Sequence, residues 1–198
     1  TDWSGFSSED IGYAAQALQD WSLLNAVFDR QQQGFLNFMY LARLLKHDAG
    51  LVSDPAFQAG GVPVFDNREV YYDGNSQGGI LGGALMGVIQ DVTRGVLGVP
   101  GMSYSFLLRR SVDFDLYKPL FSGSGTGATG GGYPSIKDQS LLLSMAQMIW
   151  DRAESSGYVY HIEQHPLPNT PVHSVLMQVA YGDHQVSMWA AEFMARTI

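Results

Sequence analysis

The 198-residue sequence contains no cysteine. Disulfide bridges, thiolate metal sites and cysteine nucleophiles are therefore excluded, and the redox compartment is left open. Positive charge is also scarce, because 11 lysines and arginines stand against 19 aspartates and glutamates, for a formal net charge of -8. A nucleic-acid partner is not expected, since such a protein needs a basic surface to release counterions from phosphate.

Long apolar runs are missing as well. The longest uncharged apolar run, residues 80–89, is about half as long as a membrane-spanning helix requires, so no transmembrane segment is expected. No signal peptide is recognisable, and the sequence begins with Thr1, either as a processed terminus or as a cut. A chain of 198 residues fits one domain with a sizeable hydrophobic core.

Residues 68–83, R-E-V-Y-Y-D-G-N-S-Q-G-G-I-L-G-G, are the most informative segment. They predict a short strand at Val70, Tyr71 and Tyr72, then a sharp turn and a helix that opens on small residues. Within them, residues 74–78 match G-x-S-x-G, a pattern that holds a serine on a strand-to-helix turn with its hydroxyl exposed. Ser76 is therefore the candidate nucleophile. The alternative is a glycine-rich turn between two buried elements.

Glycine is unusually frequent in the helix predicted after Ser76, at positions 78, 79, 82 and 83. Each glycine in a helix interior costs about 1 kcal/mol relative to alanine. Such a run needs a packing reason, and close approach of the helix to a sheet is a sufficient one.

Two helices are predicted before this segment. Apolar residues at helical spacing predict one amphipathic helix that starts at residues 7–10 and ends near Gly34, and a second helix over residues 35–47. Their aromatic and methionine content suits a helix-to-helix core or, alternatively, a lid or acyl-binding wall.

After the segment, residues 93–100 and 172–180 predict two further strands, and residues 103–117, 135–152 and 187–198 predict helices. Strand, helix and strand in succession imply a parallel α/β sheet.

Two weaker sequence patterns resemble a cofactor site and a metal site, but their context argues against both. Gly125-x-Gly127-x-x-Gly130 resembles a dinucleotide-binding loop, but no strand precedes it, so residues 121–132 are interpreted as a flexible glycine-rich linker. His161 and His165 have the spacing of a helical metal pair, but Pro166 and Pro168 disfavour a helix there. We therefore expect neither a cofactor nor a metal ion.

The residues Y-Y-D-G-N-S-Q-G-G resemble the nucleophile elbow of α/β-hydrolase-fold serine esterases and lipases. The S-Q-G-G portion is similar to that of cutinase-like and secreted lipase-like members, and the resemblance extends from this elbow to the C-terminus and only loosely before it. It implies a single α/β-hydrolase-like domain over residues 1–198, with a parallel sheet flanked by helices and a helical lid or cap at about residues 101–160.

The resemblance also implies a triad acid. Residues 182–186, G-D-H-Q-V, are similar to the G-D-x-x-V turn in which the superfamily places its acid after a late strand, and this assigns Asp183. Such a carboxylate orients an imidazole and stabilises its cationic form. The alternative is a turn aspartate that binds its own backbone. Asp113 and Asp115 are reserve candidates.

The base is less clear from the sequence. The chain order is serine, acid, histidine, and only His184 follows Asp183, although a residue adjacent to the acid is poorly placed to be its partner. For the oxyanion hole, the resemblance implies the backbone N–H of Gln77 and, loosely, that of Trp3 or Ser4. Because the first 65 residues show no convincing strand, we expect a part of a larger hydrolase, with early strands and the base outside these 198 residues.

The sequence thus predicts a serine hydrolase that cleaves carboxylic esters through an acyl-enzyme on Ser76. The apolar helices favour a small-molecule ester with an apolar group. A serine peptidase or amidase of the same fold is the nearest alternative. A non-catalytic hydrolase-like binding domain is another, because it would explain the missing histidine. The oligomeric state and the compartment are left open.

Overall fold

A computed structural model of the protein describes residues 2–124 and 130–198. A small antiparallel hairpin, β1 (Gln58–Ala59) and β2 (Val62–Pro63), precedes a parallel sheet of three strands, β3 (Tyr72–Asn75), β4 (Arg94–Gly98) and β5 (Ser174–Gln178). The helices are α1 (Ile11–Gln19), α2 (Leu24–Lys46), α3 (Gln77–Val88), α4 (Tyr104–Leu107), α5 (Lys118–Ser122), α6 (Ile136–Trp150) and α7 (Met188–Thr197). The prediction of a mixed α/β protein with a parallel sheet flanked by helices is confirmed.

The sheet has the order β3-β4-β5, and its strands share one edge at their carboxyl ends. Asn75 at the end of β3 pairs with Gly98 at the end of β4, which pairs in turn with Gln178 at the end of β5. The strands predicted in residues 93–100 and 172–180 are confirmed. The strand predicted at residues 70–72 begins only at Tyr72 and continues to Asn75. The serine therefore follows the strand directly.

Helix α3 lies very close to the sheet, as its glycines predict. A Cβ atom at Gly79 would overlap the carbonyl oxygen of Gly98, and one at Gly82 would overlap the ring of Tyr72. A Cβ atom at Gly83 would overlap the Ser155 hydroxyl on the far side of the helix. The prediction that these glycines allow the helix to approach the sheet closely is therefore confirmed, and Ser155 lies equally close on the opposite side of α3.

The core surrounds α3. Its largest fully buried side chains come from α2, α3, β4 and α7, among others Phe28, Leu81, Leu85, Leu97 and Met194. No helix in residues 2–124 and 130–198 has both the length and the apolar character needed to cross a membrane.

The predicted helix boundary at Gly34 is wrong. The first helix ends at Gln19, and the side chain of Asp20 accepts from the Ser22 N–H to start a short 3-10 turn before α2. Gly34 lies inside α2 because the chain at Trp3 and Ser4 packs on it, so that a Cβ atom there would be 3.3 Å from the Ser4 carbonyl oxygen. A tertiary contact, and not a helix end, accounts for this glycine.

Two further predictions need correction. Residues 103–117 do not form one helix, because α4 ends at Leu107 and a separate 3-10 helix, Val112–Leu116, follows. In the predicted linker, residues 121 and 122 belong to α5, and the Phe121 ring stacks on Trp21 with centroids 5.0 Å apart. Residues 125–129, with Gly125 and Gly127 of the dinucleotide-like pattern, lie outside the described residues.

Candidate active site

Ser76 connects the carboxyl end of β3 to the first residue of α3. Its backbone has φ 55° and ψ -116°, the conformation of the first central residue of a type II′ turn, where glycine is preferred. A non-glycine residue held there costs on the order of 1–3 kcal/mol, and such residues concentrate at functional sites. The turn is fixed because the Ser76 N–H donates to the Gly98 carbonyl at 2.9 Å and the Ser76 carbonyl accepts from the Ile80 N–H at 2.9 Å.

Ser76 and Gln77 line a cavity of about 300 Å³. Its wall is mostly apolar and is formed by α1, α2, α6 and the segment from α4 to residue 117, with Leu18, Phe28, Leu107, Phe114 and Trp150 among the lining side chains. The volume is at the lower end of the range for small-molecule pockets. The cavity therefore suits a compact ligand that presents mainly apolar surface to the wall.

The side chain of Gln77 is held by Tyr104. Its Nε2 donates to the Tyr104 hydroxyl, and the buried Tyr104 ring stacks on Trp150 with centroids 4.7 Å apart and planes 8° from parallel. Desolvation raises the pKa of Tyr104, so its hydroxyl stays protonated at neutral pH. The Gln77 N–H is the first of α3 and therefore lacks an acceptor within the helix. This N–H is available to an anionic oxygen.

Asp10 organises the loop beside Ser76. Its Oδ2 accepts from the Gly5 N–H at 2.7 Å, from the Ser7 N–H at 3.0 Å and from the Ser7 hydroxyl at 2.7 Å, while Oδ1 pairs with Arg30. Burial by itself raises the pKa of Asp10, but hydrogen bonds from Ser7, Arg30 and Gly5 bring it below its usual value. Asp10 is therefore ionised and clamps a loop that lines the cavity.

The proposed second oxyanion donor lies in the same loop. The Phe6 N–H donates to the Trp3 carbonyl at 3.0 Å, so the N–H groups of residues 5–7 are all engaged. Within the described residues, the N–H groups of Trp3 and Ser4 have no hydrogen-bond acceptor. The Trp3 ring is buried and stacks on Phe38 with centroids 4.1 Å apart. The role of Trp3 or Ser4 stays a prediction.

Asp183 occupies the turn after β5. Its Oδ1 accepts from the N–H groups of Gln185 at 2.7 Å and Val186 at 3.0 Å, which is the backbone-binding arrangement of the alternative interpretation. Its Oδ2 has no hydrogen-bond partner in residues 2–124 and 130–198, so one oxygen is free to accept from an imidazole. Gln185 and Val186 line the cavity with Ser76, whereas Asp183 does not. Its role as the triad acid stays a prediction.

The two reserve acids differ in position. Asp113 lines the cavity with Ser76, and its Oδ1 accepts from Gln185 Nε2 at 2.9 Å. Asp115 forms a surface ion pair with Lys118. Of the two, only Asp113 is placed to act on a ligand in the cavity.

In the described part of the chain, Ser76 Oγ has no hydrogen bond to a histidine. His184 is exposed, and its carbonyl oxygen accepts from the Val112 N–H at 3.0 Å. The buried His173 precedes β5 at the amino ends of the strands, whereas Ser76 follows their carboxyl ends, so the two residues lie about 20 Å apart along the strand direction. Its Nε2 bonds the Ile89 carbonyl oxygen at 2.8 Å, and burial lowers its pKa.

The histidine pair at positions 161 and 165 forms a local contact. His161 Nδ1 bonds the His165 carbonyl oxygen at 2.7 Å, and the His165 ring stacks on Tyr160. Over residues 2–124 and 130–198, no three histidine or acidic side chains converge in a way that could hold a metal ion.

A buried glutamate, Glu154, lies close to α3, and no sequence pattern predicted it. Glu154 is fully buried, its Oε1 accepts from Gln147 Nε2 at 2.6 Å, and its Oε2 has no partner in the described chain. Desolvation raises the pKa of Glu154 to about 7, against the opposing effect of the nearby Ser156 donors and of the hydrogen bond from Gln147. The surrounding sequence D-R-A-E-S-S-G is polar and resembles a surface turn, so no local signal identifies this residue.

Comparison of the chain with protein-family models, with curated proteins and with solved structures found no match.

Proposed function

We propose that this chain is a serine hydrolase domain of the α/β-hydrolase type, which cleaves carboxylic esters through an acyl-enzyme on Ser76. The observation that carries the proposal is the backbone of Ser76, a strained serine between a parallel strand and a helix at the wall of an apolar cavity. Strain at a serine in this position has a functional reason if the turn presents the hydroxyl to a substrate.

In the proposed reaction, Ser76 Oγ attacks the ester carbonyl carbon and transfers its proton to a base, which passes it to the departing alcohol. Water then attacks the acyl-enzyme and releases the carboxylic acid, and Ser76 regains its proton. The Gln77 N–H at the start of α3 donates to the oxyanion, with the N–H of Trp3 or Ser4 as the second donor. A donor of this kind contributes about 3 kcal/mol to transition-state stabilisation.

Two histidines could be the base. The first is His184, next to the proposed acid Asp183, and the second is a histidine outside these 198 residues. His184→Ala separates them, because its effect on Ser76 reactivity is large only if His184 takes the proton. Loss of a general base costs about 100-fold or more in rate.

The substrate class follows from the cavity wall. An apolar acyl or alcohol group would cover the side chains of Phe28, Leu107 and Phe114 and remove them from water. Comparing a nitrophenyl ester with the matching anilide distinguishes an esterase from an amidase, because the two substrates differ only in the leaving group.

Covalent labelling with a fluorophosphonate tests the proposal. We expect the intact protein to take up one label, at Ser76, and Ser76→Ala to abolish it. Ser144→Ala is the matched control, since Ser144 is an exposed serine on α6 whose hydroxyl donates to the Ser140 carbonyl. Absence of labelling on the intact protein would refute the hydrolase.

A non-catalytic binding domain is the second candidate. It is favoured by one observation, that no histidine of the described residues is hydrogen-bonded to Ser76. In this case an apolar ligand would bind in the cavity and stabilise the fold without reacting, so a thermal shift without covalent labelling would support it.

A further inference from the structure

A polar cluster lies behind the elbow, on the side of α3 that faces away from the sheet. Its centre is Glu154, which has no exposed surface. A carboxyl group in such a place is costly unless it is neutral or fully hydrogen-bonded, and one oxygen of Glu154 has no partner among residues 2–124 and 130–198. Nothing in the proposed reaction uses this group directly.

The first connection from Glu154 to the elbow runs through its neighbour. The Ser155 hydroxyl donates to the carbonyl of Ile80, in the first turn of α3. The Ile80 N–H in turn donates to the Ser76 carbonyl. Two hydrogen bonds, Ser155 to Ile80 and Ile80 to Ser76, therefore connect the residue next to Glu154 with the candidate nucleophile.

The second connection runs through Gln147 and Tyr104. Gln147 Nε2 donates to Glu154 Oε1 at 2.6 Å and to Asp151 Oδ1 at 2.7 Å, and its Oε1 accepts from the Ser105 N–H at 3.1 Å. Ser105 follows Tyr104 in α4, and the Tyr104 hydroxyl accepts from the Gln77 side chain. The two connections therefore meet at residues 76–80.

We propose that Glu154 is a positioning residue for the reaction at Ser76: in its neutral form it holds Tyr104 and the first turn of α3 so that Gln77 keeps the geometry required at the elbow. This inference rests on the proposed function. Glu154 would not touch the substrate, but it would set the fraction of protein molecules in which Ser76 and Gln77 have the geometry that the reaction requires.

The charge state of Glu154 decides this fraction. Its pKa is raised to about 7 by burial. In the described chain, the charged or titratable groups that act on it are Asp151, which raises its pKa further, and Tyr104, whose own pKa Glu154 raises. Above about pH 7 an ionised Glu154 would draw the donors of Gln147 and Ser156 towards itself and loosen the contact at Tyr104. Reactivity of Ser76 should therefore fall on the alkaline side, whereas a histidine base makes it rise with pH.

The test compares the wild type with Glu154→Gln, which keeps the size and the acceptor but does not ionise, and with the exposed control Glu163→Gln. Two quantities are followed from about pH 5.5 to 8.5. One is the rate of fluorophosphonate labelling at Ser76, and the other is the NMR shift of the Gln77 side-chain amide, which is assigned by its loss in Gln77→Met. The second does not depend on activity.

We expect the wild-type and Glu163→Gln labelling rates to fall about 25-fold between about pH 6.5 and 8.5, as for one group of pKa near 7 that must be protonated, and the fall to be absent in Glu154→Gln. The Gln77 amide should titrate near pH 7 in the wild type and not in Glu154→Gln. Tyr104→Phe, which removes the acceptor, should also abolish the titration of the Gln77 amide.

An amide shift that is independent of pH in the wild type, or that titrates equally in Glu154→Gln, would overturn the proposal. So would an alkaline fall in labelling that persists in Glu154→Gln. If the amide titrates as expected but Ser76 is not labelled at any pH, the coupling stands and the hydrolase function is the part that fails.

Discussion

Replacing Glu154 by glutamine gives a stability prediction that does not depend on any activity. The pKa of this carboxyl is about 7 in the folded protein, against 4.5 for an ordinary glutamate. Between these pH values the folded protein binds the proton and the unfolded chain does not, so the free energy of unfolding decreases as the pH rises. The stabilising contribution is complete below about pH 4.5 and is lost as the pH rises through about 7.

The pKa difference sets the size of the effect. At about 1.4 kcal/mol for each tenfold change in proton affinity, the wild type loses about 3 kcal/mol from Glu154 between pH 4.5 and 8. This is a large part of the 5–15 kcal/mol that stabilises a typical domain. Glu154→Gln is neutral throughout, so its stability relative to the wild type should increase by about 3 kcal/mol over the same range.

Urea unfolding at a series of pH values measures this difference, with Glu163→Gln as the exposed control. A constant offset between Glu154→Gln and the wild type at all pH values would refute the reasoning, because it would mean that Glu154 has an ordinary pKa. A pH-dependent difference in the control of similar size would show that the effect is not specific to the buried site.

Three further predictions concern the turn at Ser76, the packing of α3 against the sheet and the carboxylate of Asp10. In urea unfolding, Ser76→Gly should have a free energy of unfolding about 1 kcal/mol higher than Ser76→Ala, because glycine accepts a φ of 55°. Both variants should lose the fluorophosphonate label. Equal stabilities of the two variants would contradict the strained turn. Gly79→Ala should destabilise the protein by about 1–3 kcal/mol, because the added Cβ would overlap Gly98. Gly78→Ala, whose Cβ would have ordinary contacts, should be neutral or should stabilise the protein by up to about 1 kcal/mol. Similar melting temperatures of the two variants would contradict the close packing of α3 on the sheet. The pKa of Asp10 is lowered in the folded protein, so its contribution to stability is present above the usual carboxyl pKa and is lost as the pH falls through the lowered value. Acid unfolding followed by circular dichroism should therefore change the stability of Asp10→Asn less than that of the wild type.

Local patterns in the sequence predicted the centre of the fold. The glycines of α3, the strand at Arg94–Gly98 and the turn at Ser76 were all accessible, because each depends on residues that are close in sequence. The position of Asp113 on the cavity wall and the 3-10 helix at Val112–Leu116 were not accessible, because they depend on where the segment meets Gln185, 72 residues later.

The N-terminal helices show why boundaries failed. Gly34 has the composition signal of a helix end, yet it lies inside α2 because Trp3 and Ser4 pack against it. The true break, at Asp20, needs only the capping preference of aspartate, and the apolar periodicity that runs across it concealed that signal.

The sequence by itself determined that a serine lies between a strand and a glycine-rich helix, in an acidic chain without cysteine. Only the tertiary structure decided which distant side chains surround this serine: the loop clamped by Asp10, the Gln77–Tyr104 contact and the buried carboxyl of Glu154. The reason is that a turn is set by the steric preferences of adjacent residues, whereas burial, and with it the charge state of Glu154, is set by residues such as Ile80 and Tyr104 that the chain brings near only when it folds.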